Sequence, residues 1–306
     1  MDGTIMPKTN ANAMLIAVAL KIGATFWMAA TVAAIKLLGD TVPLGQVIFA
    51  RSALTLPVLF GFLAWRGGLL RALKTADPVG HAFRGMIGGV GMLCWFSAVQ
   101  RLPLSDAQAI AFASPFFGVV LAVVILKETV QIYRWSAVIV GFLGVALILS
   151  EHIFAVSLTE RDPIGGLLAL TFAGLAALAS IQIRRMSGRE TPETIVIYFS
   201  VVTALLGLAT IPWGWIAPDA YQLAMLLFIG FAGGASQMML THALKYSEAS
   251  VLAPFEYLSM LWVVIFGVVL FGEIPSAMVL LGSAVIVASG IFVMMRERSL
   301  RRRGKL

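Results

Sequence analysis

The chain has 306 residues, 60% of them hydrophobic and 12% charged, whereas a soluble globular domain carries about one quarter charged residues. That much apolar side chain exceeds what a water-soluble core absorbs, which excludes an ordinary soluble enzyme or binding module. The formal net charge of +7 does not imply a nucleic acid partner, because the basic residues are scattered among apolar spans and a C-terminal tail rather than gathered on one folded face.

The first twelve residues are polar, and no small-residue cleavage site follows a short apolar core, so the first span is expected to be retained as an anchor. Ten apolar runs follow, at 13–37, 43–64, 80–99, 104–126, 133–150, 163–184, 194–214, 221–243, 249–271 and 276–295. About 20 apolar residues bridge a hydrocarbon layer of about 30 Å. Backbone facing lipid needs internal hydrogen bonds. The pattern therefore predicts an all-α integral membrane bundle of ten transmembrane helices, consecutive ones antiparallel. The linker Glu151 to Asp162 divides it into two halves of five, 1–150 and 151–306.

With both termini cytoplasmic, 17 of the 22 lysines and arginines fall on the inner side, six of them in the tail from Arg296 to Lys305, against Arg101 and Arg161 outside. This bias places both termini in the cytoplasm. The tail reads as a solvated anchor on anionic lipid.

Five spans per half is odd, so related halves would enter the membrane in opposite senses. Gly85, Gly89 and Ala98 in the third span are matched 145 positions later by Gly230, Gly234 and Ala243 in the eighth, and Glu128 by Glu273. Inverted repeats of this kind mark many secondary transporters, because two mirror-related halves supply the two states of alternating access. Gly85-x-x-x-Gly89, Gly230-x-x-x-Gly234 and Ala137-x-x-x-Gly141 put small residues on one helix face for close packing. Pro57, Pro115 and Pro254 are expected to bend or loosen their helices.

No hydrolytic, redox or phosphate-loop motif is present, so the sequence predicts neither an enzyme nor a cofactor, and uphill transport would draw on a gradient. His81, His152 and His242 lie near different span ends, and Cys94 is the only cysteine, which leaves no intramolecular disulfide or cysteine-rich metal site.

The residues that stand out are polar or aromatic groups within spans. A charge kept in hydrocarbon faces other helices, a partner or a water-filled path. Glu256 is such a charge, one turn from Pro254. It sits about seven residues into the ninth span and Lys21 about eight into the first, both near 10–12 Å from the inner end at about 1.5 Å per residue. We expect the two to face one cavity, paired or offering opposite charges to a polar solute; the alternatives are a snorkelling Lys21 and a Glu256 that packs around Pro254. Arg51 either attracts an anionic group of the solute or ties the second helix to an acid such as Asp106. Trp27 and Trp95 lie deep in their spans, where they stack on a flat solute or fill the core. Tyr257 and Trp262 flank Glu256 and carry the same two readings. Gln108 and Gln237 need partners in hydrocarbon, either the solute or a neighbouring helix.

The duplicated half, the Pro115-to-Glu128 spacing, the closing Phe271-Gly272-Glu273 and the Ala-Pro-Phe-Glu-Tyr of Ala253 to Tyr257 resemble the EamA-type branch of the drug/metabolite transporter superfamily. The resemblance covers nearly the whole chain. It implies ten helices in two inverted halves around a solute cavity, with both termini cytoplasmic; a bacterial inner membrane is the expected location, and a small solute, membrane lipid and a second copy of the chain are the expected partners. The Pro-Phe-Glu-Tyr form is similar to bacterial uptake carriers for riboflavin and for S-adenosylmethionine. Lys127 departs from the glycine that many members carry before the first-half glutamate. Riboflavin uptake is the leading expectation, since deep tryptophans and uncharged glutamines suit a flat ring. S-adenosylmethionine uptake, which would use Glu256 and Lys21 better, and amino-acid or metabolite efflux are the alternatives. A membrane assembly subunit that moves nothing is the reading from a different class.

Overall fold

The structure, a computed structural model, describes residues 11–65, 67–127, 131–154, 162–186, 189–247 and 252–302. Among them there is no strand. The helices are α1 (Ala11–Leu38), α2 (Leu44–Trp65), the single turn α3 (Leu69–Ala72), α4 (Pro78–Arg101), α5 (Leu104–Ala111), α6 (Ser114–Leu126), α7 (Ile132–Phe154), α8 (Pro163–Met186), α9 (Pro192–Leu208), α10 (Ala220–Tyr246), α11 (Leu258–Phe271) and α12 (Ala277–Arg302). Eight segments among the described residues are long and apolar enough to cross a membrane, and two shorter apolar helices, Trp135–Ser150 and Pro192–Leu208, accompany them. Glu128 and most of the linker after α7 lie outside the described residues.

Capping chemistry sets several helix starts. Asp77 accepts from the Gly80 N–H, Thr191 from Thr194 N–H, and Asp219 forms a reciprocal box with Gln222, each replacing a partner the first turn lacks. The prolines act unequally. Pro57 sits inside an unbroken α2. Pro115 and Pro254 instead stand in the first turn after a break, where the missing N–H costs nothing. The predicted 104–126 span is thus interrupted at Phe112 and Ala113, and the ninth run opens with a 3₁₀ turn, Ala253–Tyr257, before α11. The predicted run 194–214 also ends early, at Leu208, before a 3₁₀ turn at Ile211–Trp213.

Glycines govern the packing, since lipid supplies no hydrophobic drive between helices. A Cβ on Gly85 would meet Val202 at 2.4 Å and one on Gly89 would meet Leu206 at 2.5 Å, so α4 rides directly on α9. Gly230 receives Leu54, and a Cβ on Gly234 would stand 3.5 Å from the Thr55 backbone, so α10 rides on α2. Gly141 receives the Phe116 ring, and α7 approaches α12 through Gly144 and Gly282. α1 packs against α10, α11 and α4, and α8 against α4, α5 and α6.

We call the end from which α1 departs the near end. Toward the far end Ile35, Leu38, Leu102 and Leu104 are buried together, each 0–1% exposed.

Candidate functional site

A cavity of about 480 Å³ opens within the bundle, of the size that holds a nucleoside-sized or drug-sized ligand. It is bounded by α1, α2, α4, α8 and α10 and by the two breaks, Phe112 to Pro115 on one side and Glu256 to Ser259 on the other. Irregular backbone at membrane depth is tolerated where it lines a cavity, and broken helices bring polar groups to such places. Gln108, just before one break, donates to the Ser259 hydroxyl just after the other, a long contact of 3.4 Å.

Lys21 and Glu256 form an ion pair on the cavity wall, the Lys21 ammonium donating to Oε2 of the carboxylate. The two side chains differ in access. That of Lys21 is 7% exposed and that of Glu256 56%, so the carboxylate is the member open to the cavity. Arg51, on α2, lines the same volume. Its described polar contact is the Met92 sulfur at 3.8 Å, and no described carboxylate lies within ion-pair distance of it. The alternative tie from Arg51 to Asp106 is therefore not formed, and Asp106 accepts from the Ser105 hydroxyl instead. Trp95 lies flat against Phe172, with ring centroids 4.8 Å apart and planes at 29°, at the cavity edge.

Most hydroxyls of the lining are already committed to backbone carbonyls. Thr25 donates to Ile22, Thr31 to Trp27, Ser180 to Ala176, Ser236 to Ala24 and Ser259 to Glu256. The groups left to discriminate a solute are the charges, Gln108, the Ser114 hydroxyl and the aromatic faces.

The other sequence candidates point elsewhere. Trp27 packs among Phe26, Phe228 and Phe231 outside the lining. Trp262 meets Phe26 edge-on, and its buried indole N–H has no hydrogen-bond partner among the described residues. Tyr257 abuts Phe112 and places its hydroxyl in the space that a side chain on Gly290 would take. Gln237 lines a separate recess with Thr55 and Thr241. Met92, Phe172, Ser180 and Ser236 line the cavity without having drawn notice, since none breaks the hydropathy pattern.

A second ion pair lies beyond the cavity toward the far end. Lys36, fifteen positions along α1 from Lys21, pairs with Glu273, just past α11. Among the described residues no group of three or more His, Cys, Asp or Glu is placed to hold a metal ion.

A bundle of apolar helices around a charged cavity is the architecture of a multi-pass membrane transporter. The chain belongs to the EamA-like transporter family, whose profile matches it twice, over residues 15–150 and 163–296, and with it to the drug/metabolite transporter superfamily. It is 29% identical over 264 residues to the S-adenosylmethionine uptake transporter of Rickettsia prowazekii, covering 86% of this chain and 87% of that one. It is 28% identical over 275 residues to the pseudopaline exporter of Pseudomonas aeruginosa, covering 90% and 94%. It is 30% identical over 237 residues to the riboflavin transporter of Rhizobium johnstonii, covering 76% of each.

Proposed function

We propose that this chain imports S-adenosylmethionine or a closely similar metabolite through the cavity, exposing it in turn to the two ends of the bundle. One observation carries this reading. A charged pair, Lys21 with Glu256, and a flat aromatic pair, Trp95 with Phe172, bound the same volume, which suits a solute with a charged head and a flat ring. The similarity to the Rickettsia transporter supports it.

The Trp95 face also favours a second reading, riboflavin uptake, supported by the Rhizobium relative. Export is the third direction to weigh, given the likeness to the pseudopaline exporter. On this account the chain crosses a bacterial inner membrane ten times, in two inverted halves, with the near end cytoplasmic. Support comes from corresponding positions in the two halves. Gly85 and Gly89 seat α4 on α9, while their counterparts Gly230 and Gly234 seat α10 on α2. Lys127 and Gly272, 145 positions apart, both close their helices in the left-handed conformation.

Uptake of labelled S-adenosylmethionine and of riboflavin by bacterial cells lacking their own importers, with and without this chain, tests the reading. Accumulation of the first alone is expected. Accumulation of riboflavin alone would transfer the assignment, and faster loss of preloaded solute would reverse the direction.

A further inference from the structure

We propose that the solute carries one carboxylate, received by Arg51, together with a cationic group received by Glu256, the paired charges of an amino-acid head group; this rests on the reading of the cavity as the solute site. Lys21, Lys36, Arg51 and Arg84 are basic residues held inside the bundle. Two of them are matched by carboxylates, Lys21 by Glu256 and Lys36 by Glu273. Arg84 lies over the Phe199 ring, outside the cavity lining and with no described carboxylate in ion-pair distance, so Arg51 is the unmatched cation that the cavity itself holds. Arg51 lines the cavity, and among the described residues the Met92 sulfur is the polar contact of its guanidinium. An unmatched cation in a low-dielectric interior is costly to keep. A solute anion would supply the missing partner.

The charge balance narrows the class. Lys21, Arg51 and Glu256 together leave the lining one positive charge in excess. Glu256 offsets Lys21, so the excess resides on Arg51, where a single carboxylate meets the planar guanidinium fork through two parallel hydrogen bonds. A phosphate monoester, with close to two negative charges at neutral pH, would bring a second negative charge to a single unpaired guanidinium.

The cation of the solute has a place as well. Lys21 engages Oε2 of Glu256, and Oε1 accepts no hydrogen bond among the described residues. The exposed Glu256 side chain can therefore receive an ammonium or sulfonium while Lys21 stays seated. The hydroxyls of Thr25, Ser236 and Ser259 donate their protons to backbone carbonyls, so those protons do not compete with Arg51 for the carboxylate.

The test is a binding titration of the purified full-length protein in detergent. The probes are S-adenosylmethionine, its decarboxylated analogue, which keeps the sulfonium and the amine, a panel of zwitterionic amino acids, and riboflavin. The wild type is expected to prefer S-adenosylmethionine over the decarboxylated analogue by about tenfold or more, the scale of a charge-assisted pair out of water. Arg51→Gln is expected to lose that preference and Arg51→Lys, which keeps the charge and guards against misfolding of the first variant, to retain part of it. Trp95→Ala separates the two readings. If it abolishes binding while Arg51→Gln keeps the preference, the Arg51 assignment falls and the cavity reading stands. If neither change affects binding, both fall. Equal binding of the two adenosyl compounds by the wild type, or failure to bind any carboxylate-bearing probe, overturns the proposal.

Discussion

Lys36 and Glu273 form an ion pair that also fastens the connection between α4 and α5: the Lys36 ammonium donates to the Leu102 carbonyl at 2.6 Å, and the Leu104 N–H donates to Glu273 Oε2 at 2.9 Å. One pair of side chains thus holds the end of α1, the start of α5 and the end of α11. Gly272 makes this reachable. Its left-handed conformation, φ 67°, closes α11 and turns the next residue back, with the Glu273 N–H donating to Gly267 at 3.0 Å.

Removing one partner leaves a charge in a poorly solvated place. Glu273→Ala is expected to destabilise the protein by about 2–4 kcal/mol, and Lys36→Ala with Glu273→Ala together by less than the sum of the two singles. Thermal unfolding of the four proteins in one detergent measures this. Additive losses would show that the pair is not coupled.

Lys127 closes α6 with φ 53°, the one described residue other than glycine with positive φ. Its side chain is strained there, as a glycine would not be. Lys127→Gly is expected to raise stability by about 0.5–1 kcal/mol, read as a higher midpoint of unfolding.

Gly282 and Gly174 both lie within helices and should respond oppositely to alanine. A Cβ on Gly282 would stand 2.7 Å from the Gly144 carbonyl and 2.5 Å from Ile148, whereas one on Gly174 meets nothing within 4 Å. Gly282→Ala is expected to cost about 1–3 kcal/mol by forcing α7 from α12. Gly174→Ala should be neutral or slightly stabilising, because alanine favours helix. Yield and unfolding midpoint compare them.

Glu190, between α8 and α9, ties the two halves at the near end. Its Oε1 accepts from the Thr75 hydroxyl and from the Ala76 and Asp77 N–H groups, and the His81 imidazole lies 3.7 Å away. Burial alone would raise this carboxyl, but the Thr75 hydrogen bond, the two backbone N–H groups and His81 outweigh it and hold it below the usual value. A depressed folded-state value gives stability that is present above the unfolded value, about 4.3, and is lost as pH falls through the folded one. Unfolding midpoints measured from pH 6 downward should drop at the acid end, and Glu190→Gln should flatten that drop while lowering the plateau.

How deep a side chain sits was legible in the sequence; which way it faces was not. Lys21 and Glu256 stand out because each is a charge in an apolar run. Trp27, Trp262 and Gln237 share comparable depth with them, yet turn to other faces, since about 100° per residue separates neighbours around a helix. Thr25 and Met28 line the cavity on α1 while Trp27 beside them does not. The interruption at Phe112 and Ala113 was hidden for a related reason. Hydropathy sees an unbroken run through a break that keeps its residues apolar. The Lys36 and Glu273 pair was equally hidden, because charges at span ends are ordinary and only the packing of α1 on α11 brings these two together.

The most direct test of the account is uptake of labelled S-adenosylmethionine into liposomes holding only this purified protein, beside equally reconstituted Glu256→Gln and Arg51→Gln. The account predicts saturable uptake by the wild type, competed by unlabelled solute, and at least a tenfold loss in each variant. Uptake by both variants at the wild-type rate would contradict it.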